Sequence, residues 1–254
     1  MTGSISHLES TLRHVTFETG AFDENVQANI GGVIVSPGLV GNHAGSFTSQ
    51  YGNPAMVVLS LWSWDPTLPT YKEMYYDCQV KFPDGFSVPQ WQMIFEVNAP
   101  HPISGSEHVE LMVGNRNGVT NNVMLQFYSQ YSARGYDLPY AWGIQPEGSG
   151  ENRVYEMRSG VAMLAGQVVR FEVYYKTDMV NGVISVKMNG VEILHYTGRT
   201  QFDPELNPDT GLMHNNISTV WGNYVDPTQP SHTMIMDEIY VGTKPNPYAT
   251  PPPI

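Results

Sequence analysis

Polar side chains of the kind that bind sugars alternate with apolar ones along several predicted strands of this 254-residue chain. Planar amides and carboxylates form paired hydrogen bonds with hydroxyl groups, and aromatic rings provide apolar stacking surfaces. Alternation with a period of two places such residues on the sheet face that points away from the core. The residues that we predict on this face, as a carbohydrate-binding set, are Gln92, Glu96, Glu110, Gln126, Tyr128, Arg170, Glu172 and Tyr174. The alternative is a solvated face, or one buried in a subunit contact.

The resemblance to polysaccharide lyases given below implies a second chemistry for the same face, β-elimination on a uronic-acid polymer. Such a lyase requires a base that removes the C5 proton of the sugar and a cation that neutralises the sugar carboxylate. In that case Tyr128 or Tyr174 is the base, and Arg170 is the neutralising group. The predicted faces carry more acidic than basic side chains, and this excess of negative charge disfavours binding of a polyuronate. We therefore favour binding without catalysis and keep β-elimination as the alternative.

Alternating strands must position these residues. The clearest pattern runs over residues 166–196, where apolar residues from Val169 to Tyr175 alternate with polar ones. The Asn-Gly pairs at 181–182 and 189–190 predict two tight turns and therefore an antiparallel meander. In the strand over 91–97, the alternation predicts Met93 facing inward and Gln92 facing outward.

Composition and pattern together predict an all-β protein. The 24 glycines and 19 prolines are spread along the chain, as expected for short strands joined by turns. Roughly a dozen alternating segments, with no long helical pattern, indicate an antiparallel two-sheet jelly-roll sandwich. We assign residues 1–13 to an N-terminal arm, 14–243 to the jelly-roll domain and 244–254 to a proline-rich C-terminal arm. Residues 129–164 are predicted to form a long loop.

Charge and the single cysteine exclude several classes of protein. A net charge of −12 argues against nucleic acid and anionic lipid as partners. No run approaches the roughly 20 apolar residues of a membrane span, so no membrane insertion is expected. Cys78 falls on the apolar phase of its strand, which indicates a core residue rather than a nucleophile. No signal peptide is visible, so either a signal has been removed or the protein leaves its cell another way, for example inside a particle.

Several segments, in order, resemble concanavalin A-like jelly rolls of the polysaccharide-lyase type, which include heparin and alginate lyases. The segments are HVTFETGAF, GNHAGSF, VVRFEVYYKTDMVNGVISVKMNGVEILHYTG, TVWGNYVDP and MIMDEIYVG. In lyases of this fold, an Arg-rich strand, a Gln-x-His strand and a Tyr-x-Lys strand supply the catalytic groups. The comparable QMI at 92–94 lacks the histidine, and YYK at 174–176 matches only loosely. The resemblance therefore implies the fold, without the intact catalytic motifs.

The resemblance also implies a structural calcium ion. Similar jelly rolls often bind one with the Glu of the FE-x-G element, an acid of the closing strand and oxygens of the turn. The matching positions are Glu18, Asn42, Gly45 and Asp237, an oxygen set of the kind that Ca²⁺ prefers. The alternative is that Asp237 accepts hydrogen bonds from nearby backbone N–H groups.

These observations favour a binding or structural function. We expect a non-catalytic glycan-recognising jelly roll at an extracellular or virion surface, such as a phage capsid decoration or tail component. Its expected partners are a polysaccharide or cell-surface glycan and other structural protein subunits. A polysaccharide lyase acting on a uronic-acid polymer remains the alternative.

Overall fold

The computed structural model describes residues 11–22, 28–30, 32–49, 56–58, 71–88, 91–100, 106–116, 118–129, 153–178, 180–198, 200 and 232–249. Within these ranges no helix is long and apolar enough to cross a membrane, and the ordered elements are strands. The strands are β1 (Thr11–Val15), β2 (Ala28–Ile30), β3 (Gly32–Val35), β4 (Ala44–Ser49), β5 (Met56–Val58), β6 (Glu73–Lys81), β7 (Trp91–Pro100), β8 (Ser106–Arg116), β9 (Val119–Ser129), β10 (Arg153–Ala162), β11 (Val168–Lys176), β12 (Gly182–Met188), β13 (Val191–Gly198) and β14 (His232–Gly242).

Two antiparallel sheets form the body of the molecule. The large sheet has the order β13-β12-β11-β6-β14-β4-β3, with β1 also paired to β14, and the small sheet has the order β10-β9-β8-β7. Cys78 and Phe171 of the large sheet and Leu111 and Leu125 of the small sheet belong to one buried cluster. The core therefore lies between the sheets, and the predicted all-β jelly-roll sandwich is confirmed. The prediction that Cys78 is a core residue is also confirmed.

The meander β11-β12-β13 forms as predicted, but only one of its turns depends on an Asn-Gly pair. Asn189 and Gly190 both have positive φ, 51° and 79°, which is the geometry of a tight hairpin turn. The connection from β11 to β12 is longer. Its Asp178 carboxylate accepts hydrogen bonds from the backbone N–H groups of Val180 and Asn181, both at 2.8 Å. Asn181 therefore takes part in an Asp-capped loop rather than a two-residue turn.

A bulge in β7 reverses the predicted facing of its first residues. The register passes from Met93 opposite Met112 to Phe95 opposite Leu111, which leaves one extra residue in β7. Before the bulge, Gln92 is opposite the core residue Val113 and therefore faces inward. The prediction that Gln92 faces outward and Met93 inward was wrong, because an alternation pattern cannot reveal an inserted residue.

Two predicted boundaries also change. Strand β10 forms within the segment 129–164 that was predicted as a loop, and its register shifts between Arg158 and Ala162. That irregularity interrupts the alternation by which a strand is recognised. Strand β1 begins at Thr11 and pairs with β14, so residues 11–13 belong to the sheet rather than to an N-terminal arm. The predicted strand at 218–224 lies outside the described residues.

Candidate functional site

The predicted carbohydrate-binding residues are divided between the two sheets. Glu96, Glu110, Gln126 and Tyr128 belong to the small sheet, whereas Arg170, Glu172 and Tyr174 belong to the large sheet. Both sheets direct their apolar residues into the shared core, so their outer faces lie on opposite sides of the sandwich. The prediction of a single continuous face was therefore wrong.

Gln92 does not belong to either outer face. Its side chain is fully buried, and its Nε2 donates a hydrogen bond to the carbonyl oxygen of Met93 at 2.9 Å. A ligand on the outer face cannot reach it. The assignment of Gln92 to a carbohydrate-binding set is corrected accordingly.

On the small sheet, the register aligns four polar residues across all four strands. Glu96 is opposite Glu110, Glu110 is opposite Gln126, and Gln126 is opposite Glu156. We call these four residues the glutamate row. At a strand spacing of about 4.8 Å the row spans roughly 14 Å. The neighbouring row on the same face holds Asn98, His108, Tyr128 and Val154.

Several side chains on the outer face of the small sheet are buried, and one of them is a charged glutamate. Glu156 is buried, and its Oε2 accepts hydrogen bonds from Arg158 Nε at 3.0 Å and from a terminal guanidinium nitrogen at 2.7 Å. Met112 and Met124, in the row on the other side, are buried although they lie outside the core cluster. Glu110 is half-buried. The accessible part of this face therefore includes Glu110 of β8, and Gln126 of β9 separates it from the paired Glu156 of β10.

On the large sheet, Arg170 is fixed by carboxylates of its own chain. Its Nε donates to Asp77 Oδ1 at 2.9 Å, a terminal nitrogen forms a short ion pair with Asp77 Oδ2, and the same nitrogen lies 3.2 Å from Glu172 Oε1. Asp77 is only 4% exposed. The guanidinium is thus committed to a buried carboxylate, which leaves it unsuited to neutralising a sugar carboxylate as the lyase prediction required.

Tyr174 packs against Tyr75, its cross-strand partner, with ring centroids 4.8 Å apart and an interplanar angle of 32°. Burial, together with the negative charge of Glu73, raises the pKa of Tyr174 to about 12. At neutral pH it is therefore a hydroxyl donor and a poor base. Tyr128 is on the opposite sheet, so Tyr128, Tyr174 and Arg170 do not form one catalytic site.

Residues 243–249, which we call the strap, fold over the outer face of the large sheet. Tyr240 Oη donates to the carbonyl oxygen of Lys244 at 2.9 Å, and Asn246 Nδ2 donates to Asp77 Oδ2 at 3.2 Å. The ring of Tyr248 stacks on His14 with centroids 4.7 Å apart. The first residues of the predicted C-terminal arm are therefore docked on the domain.

Between the strap and the strands lies a small open cleft of about 110 Å³, which we call the strap cleft. Its lining includes Tyr75, Tyr174, Glu172, Lys187, Pro245 and Asn246. Aromatic rings and groups that donate and accept hydrogen bonds thus converge on one concave site.

The predicted calcium ligands surround the turn over residues 38–43, but amide hydrogens of the turn point at both carboxylates. Asp237 Oδ2 accepts from the backbone N–H groups of Leu39 and Val40 at 3.0 and 2.9 Å. Glu18 Oε1 accepts from those of Asn42 and His43 at 2.9 and 3.1 Å. A cation requires oxygen ligands at these positions, so this arrangement matches the capping alternative better than a Ca²⁺ site.

Gly45, the fourth predicted ligand, is in β4 opposite Met236. A Cβ on Gly45 would lie 2.7 Å from the Phe47 ring and 3.0 Å from Phe17, so close packing explains the glycine. Among the described residues, no group of three or more acidic, histidine or cysteine side chains is placed to hold a metal ion. The calcium ion stays a prediction, which thermal unfolding with EDTA and with added Ca²⁺ would test.

The two carboxylates at this turn have opposite pKa shifts. Hydrogen bonds from the backbone N–H groups of His43 and Asn42 lower the pKa of the exposed Glu18. Burial raises the pKa of Asp237 to about 7, although three backbone N–H groups oppose that rise. The backbone N–H groups therefore make up for only part of the hydration that the Asp237 carboxylate loses on burial. As a result, the ionised form of Asp237 is less favourable in the folded state than in water.

Sequence reasoning did not identify His108 or Asn246 as candidate site residues. His108 shares its phase with Glu110, which was the available signal, and the register now puts it opposite Tyr128. Asn246 contacts Asp77 across 169 residues of sequence. No local pattern contains such a contact.

No protein-family model matches this chain, and no curated protein matches its sequence. Solved structures do match. The endo-β-1,4-glucuronan lyase of the fungus Trichoderma reesei aligns with a TM-score of 0.64 at 13% identity, over 92% of this chain and 96% of that one. The PL-14 alginate lyase of Aplysia kurodai aligns with a TM-score of 0.60 at 11% identity, over 92% and 100%.

A third match is a structure of botulinum neurotoxin type C, described as interacting with two ganglioside molecules. It aligns with a TM-score of 0.55 at 10% identity, over 95% of this chain and 50% of that one. At such identities the likeness establishes the fold alone. The chain has the jelly-roll fold found in polysaccharide lyases, as the sequence resemblance predicted.

Proposed function

We propose that this protein binds a polysaccharide along the glutamate row of the small sheet and does not cleave it. The observation that carries the proposal is the register that aligns Glu96, Glu110 and Gln126 across β7, β8 and β9, beside the buried Glu156 that pairs with Arg158. A row of carboxylate and amide groups supplies hydrogen-bond acceptors at regular spacing, which suits successive hydroxyl-bearing sugar rings. Tyr128 occupies a register position in the next row.

The charge of this face favours a neutral, hydroxyl-rich polymer over a polyuronate. Three of the four residues of the row are acidic, and Arg158 is already bound to Glu156. A polyuronate would bring further negative charge against these carboxylates and against a chain of net charge −12. Hydroxyl groups of a neutral sugar donate to carboxylates without that repulsion.

The fold comparisons support carbohydrate as the class of ligand. The matched enzymes are named for the polysaccharides glucuronan and alginate, and the matched toxin is described as binding gangliosides. The same jelly roll is thus used for sugars in proteins with different activities. Because fold does not determine activity, the distinction between binding and cleavage depends on the site itself.

The second candidate function is β-elimination on a uronic-acid polymer. It is favoured by the register, which makes His108 and Tyr128 cross-strand partners, because histidine and tyrosine are residue types suited to proton transfer. The two positions lie next to Glu110 and Gln126 on the same face. This candidate uses Tyr128 with His108 in place of the Arg170 and Tyr174 of the sequence prediction.

Binding is tested by affinity electrophoresis of the wild type in gels that contain a neutral β-glucan, a galactomannan or alginate. We expect retardation by at least one neutral polymer, and at least a tenfold weaker interaction for Glu110→Gln, because a hydrogen bond to a charged group contributes about 1.5–3 kcal/mol. The matched control is Glu73→Gln, which removes one charge from the large sheet. Equal retardation of both variants and the wild type would contradict the proposal.

Cleavage is tested on the same protein with alginate and glucuronan, by absorbance at 235 nm, where unsaturated uronates absorb. We expect no increase. A steady increase that Tyr128→Phe abolishes would establish the second candidate and overturn the first.

The proposal also includes a location: the protein lies on a virion surface and contacts other structural subunits there. They predict that the protein co-purifies with intact particles through a density gradient. Recovery only in the particle-free fraction would count against this location.

A further inference from the structure

We infer that the strap cleft is a second sugar-binding site, specific for a single neutral hexose unit. It lies on the large sheet, on the side of the sandwich opposite the glutamate row, and is therefore independent of the proposed function. Its volume of about 110 Å³ is below that of sites for drug-sized ligands, so the cleft suits no more than one sugar ring.

The aromatic wall of the cleft is built from cross-strand neighbours. Tyr75 and Tyr174 are opposite each other on β6 and β11, their rings pack together, and both side chains are half-buried. A rigid ring pair offers the apolar surface on which the C–H face of a pyranose stacks. Burial raises the pKa of both hydroxyl groups, so both remain protonated donors at neutral pH.

Balanced charges in the floor select against anionic sugars. Arg170 neutralises Asp77, and Lys187 is the cross-strand partner of Glu172 on the same face. No excess of positive charge is left among these four residues to attract a carboxylate or sulfate group. Glu172 and Lys187, an acceptor and a donor side by side, match the vicinal hydroxyl groups of a hexose.

The strap forms the remaining wall of the cleft, and hydrogen bonds within the protein fix its position in the absence of a ligand. Asn246 donates to Asp77 through Nδ2 and accepts from the backbone N–H of Tyr248 through Oδ1, at 3.2 and 2.9 Å. Tyr248 is in turn stacked on His14. A site that is already ordered loses little conformational entropy on binding. The strap therefore completes the cleft around a single sugar ring.

The test is isothermal titration calorimetry with the methyl glycosides of glucose, galactose and mannose, and with sodium glucuronate. We expect saturable binding of at least one methyl glycoside, and weaker binding of glucuronate. Tyr174→Ala should weaken the interaction at least tenfold, whereas Tyr174→Phe, which keeps the ring, should stay within about threefold of the wild type. Asp84→Asn, at an exposed position outside both sites, should bind as the wild type does.

A second blocking variant covers the case in which Tyr174→Ala fails to fold. Lys187→Trp fills the cleft from an exposed position and should also abolish binding. Absence of saturable binding by the wild type, or tighter binding of glucuronate than of the glycosides, would overturn the inference. Loss of binding in Glu110→Gln with retention in Lys187→Trp would assign the sugar to the small sheet, which also overturns the inference but supports the proposed function.

Discussion

At the scale of single residues, two aspartates are buried in the large sheet and are compensated in different ways. Asp77 faces the guanidinium of Arg170, whereas the described groups that donate hydrogen bonds to Asp237 are the backbone N–H groups of Leu39, Val40 and Glu238. A guanidinium supplies a full opposite charge, whereas amide dipoles supply partial charges. The two sites are therefore expected to respond differently to substitution and to pH.

Replacing Arg170 with Met should destabilise the protein by about 3 kcal/mol, because it leaves the Asp77 carboxylate buried without its counter-charge. Urea unfolding measures this loss. The matched control is Lys176→Met, which removes a cation from the same face of the same strand. An equal loss in both variants would show that Arg170 contributes no more than a surface cation.

Asp237 should make stability depend on pH between about 4 and 7. Its folded-state pKa of about 7 lies above the ordinary value of 3.8, so the folded state binds the proton more tightly in this window. Stability from this group is therefore present below the window and is lost as the pH rises through it. Relative to Asp237→Asn, the wild type should be more stable at pH 5 than at pH 8, as measured by urea unfolding.

The matched control is Asp178→Asn. Hydrogen bonds from Asn181 and Val180 lower the pKa of Asp178, so it titrates below this window. Its difference from the wild type should be the same at pH 5 and pH 8. If the Asp237→Asn difference is also the same at both values, the raised pKa is refuted.

At the scale of elements, the turn over residues 38–43 joins the start and the end of the chain. Its N–H groups bind Glu18, which follows β1, and Asp237, which lies in β14. In β14, Asp237 and Glu238 mark the position where the neighbouring strand changes from β4 to β1. The turn thus covers an interruption in the sheet, which gives these acids a structural role with or without a cation.

Gly41→Ala tests the turn. Gly41 has a φ of +73°, and an added Cβ would lie 2.5 Å from Glu18 Oε1. The control is Gly118→Ala, at a φ of +77° with nothing within 4 Å of its added Cβ. The control should lose about 1–2 kcal/mol from backbone strain, and Gly41→Ala should lose more, because it also displaces the Glu18 carboxylate. Equal losses in thermal unfolding would mean that the Glu18 contact adds nothing.

Sequence patterns predicted the strands well where alternation was unbroken, as in β6 and β11. They failed where one residue is inserted, because the bulge at Met93–Phe95 reverses the facing of Gln92 without changing composition. The same limit hid β10, whose register shifts after Arg158. Local periodicity therefore predicts elements, and irregularities within an element decide which side chains reach a site.

At the scale of the whole molecule, the order of segments was sufficient to predict the jelly roll, and the strand pairing was not. Outward-facing residues of different strands look equivalent in the sequence. Only the sheet order separates Glu110 from Glu172 and puts them on opposite sides of the sandwich. Pairing depends on contacts between distant segments, such as Asn246 with Asp77, which no local pattern encodes.

The resulting molecule has two outer faces of different character. The small-sheet face aligns Glu96, Glu110 and Gln126 across three strands, which suits an extended polymer. The large-sheet face has a cleft closed at one side by the strap, which suits one sugar unit. Two such sites on opposite sides would allow one molecule to hold two glycan chains at once.

The most direct test of the central claim uses the methionines as reporters. Met112 and Met124 lie in the row next to Glu110 and Gln126, whereas Met234 and Met236 lie in the core of the large sheet. Methyl NMR of protein labelled at methionine, titrated with a neutral polysaccharide that it binds, should shift the Met112 and Met124 signals and leave those of Met234 and Met236 in place. Saturable binding with the Met112 and Met124 signals unmoved would contradict the account.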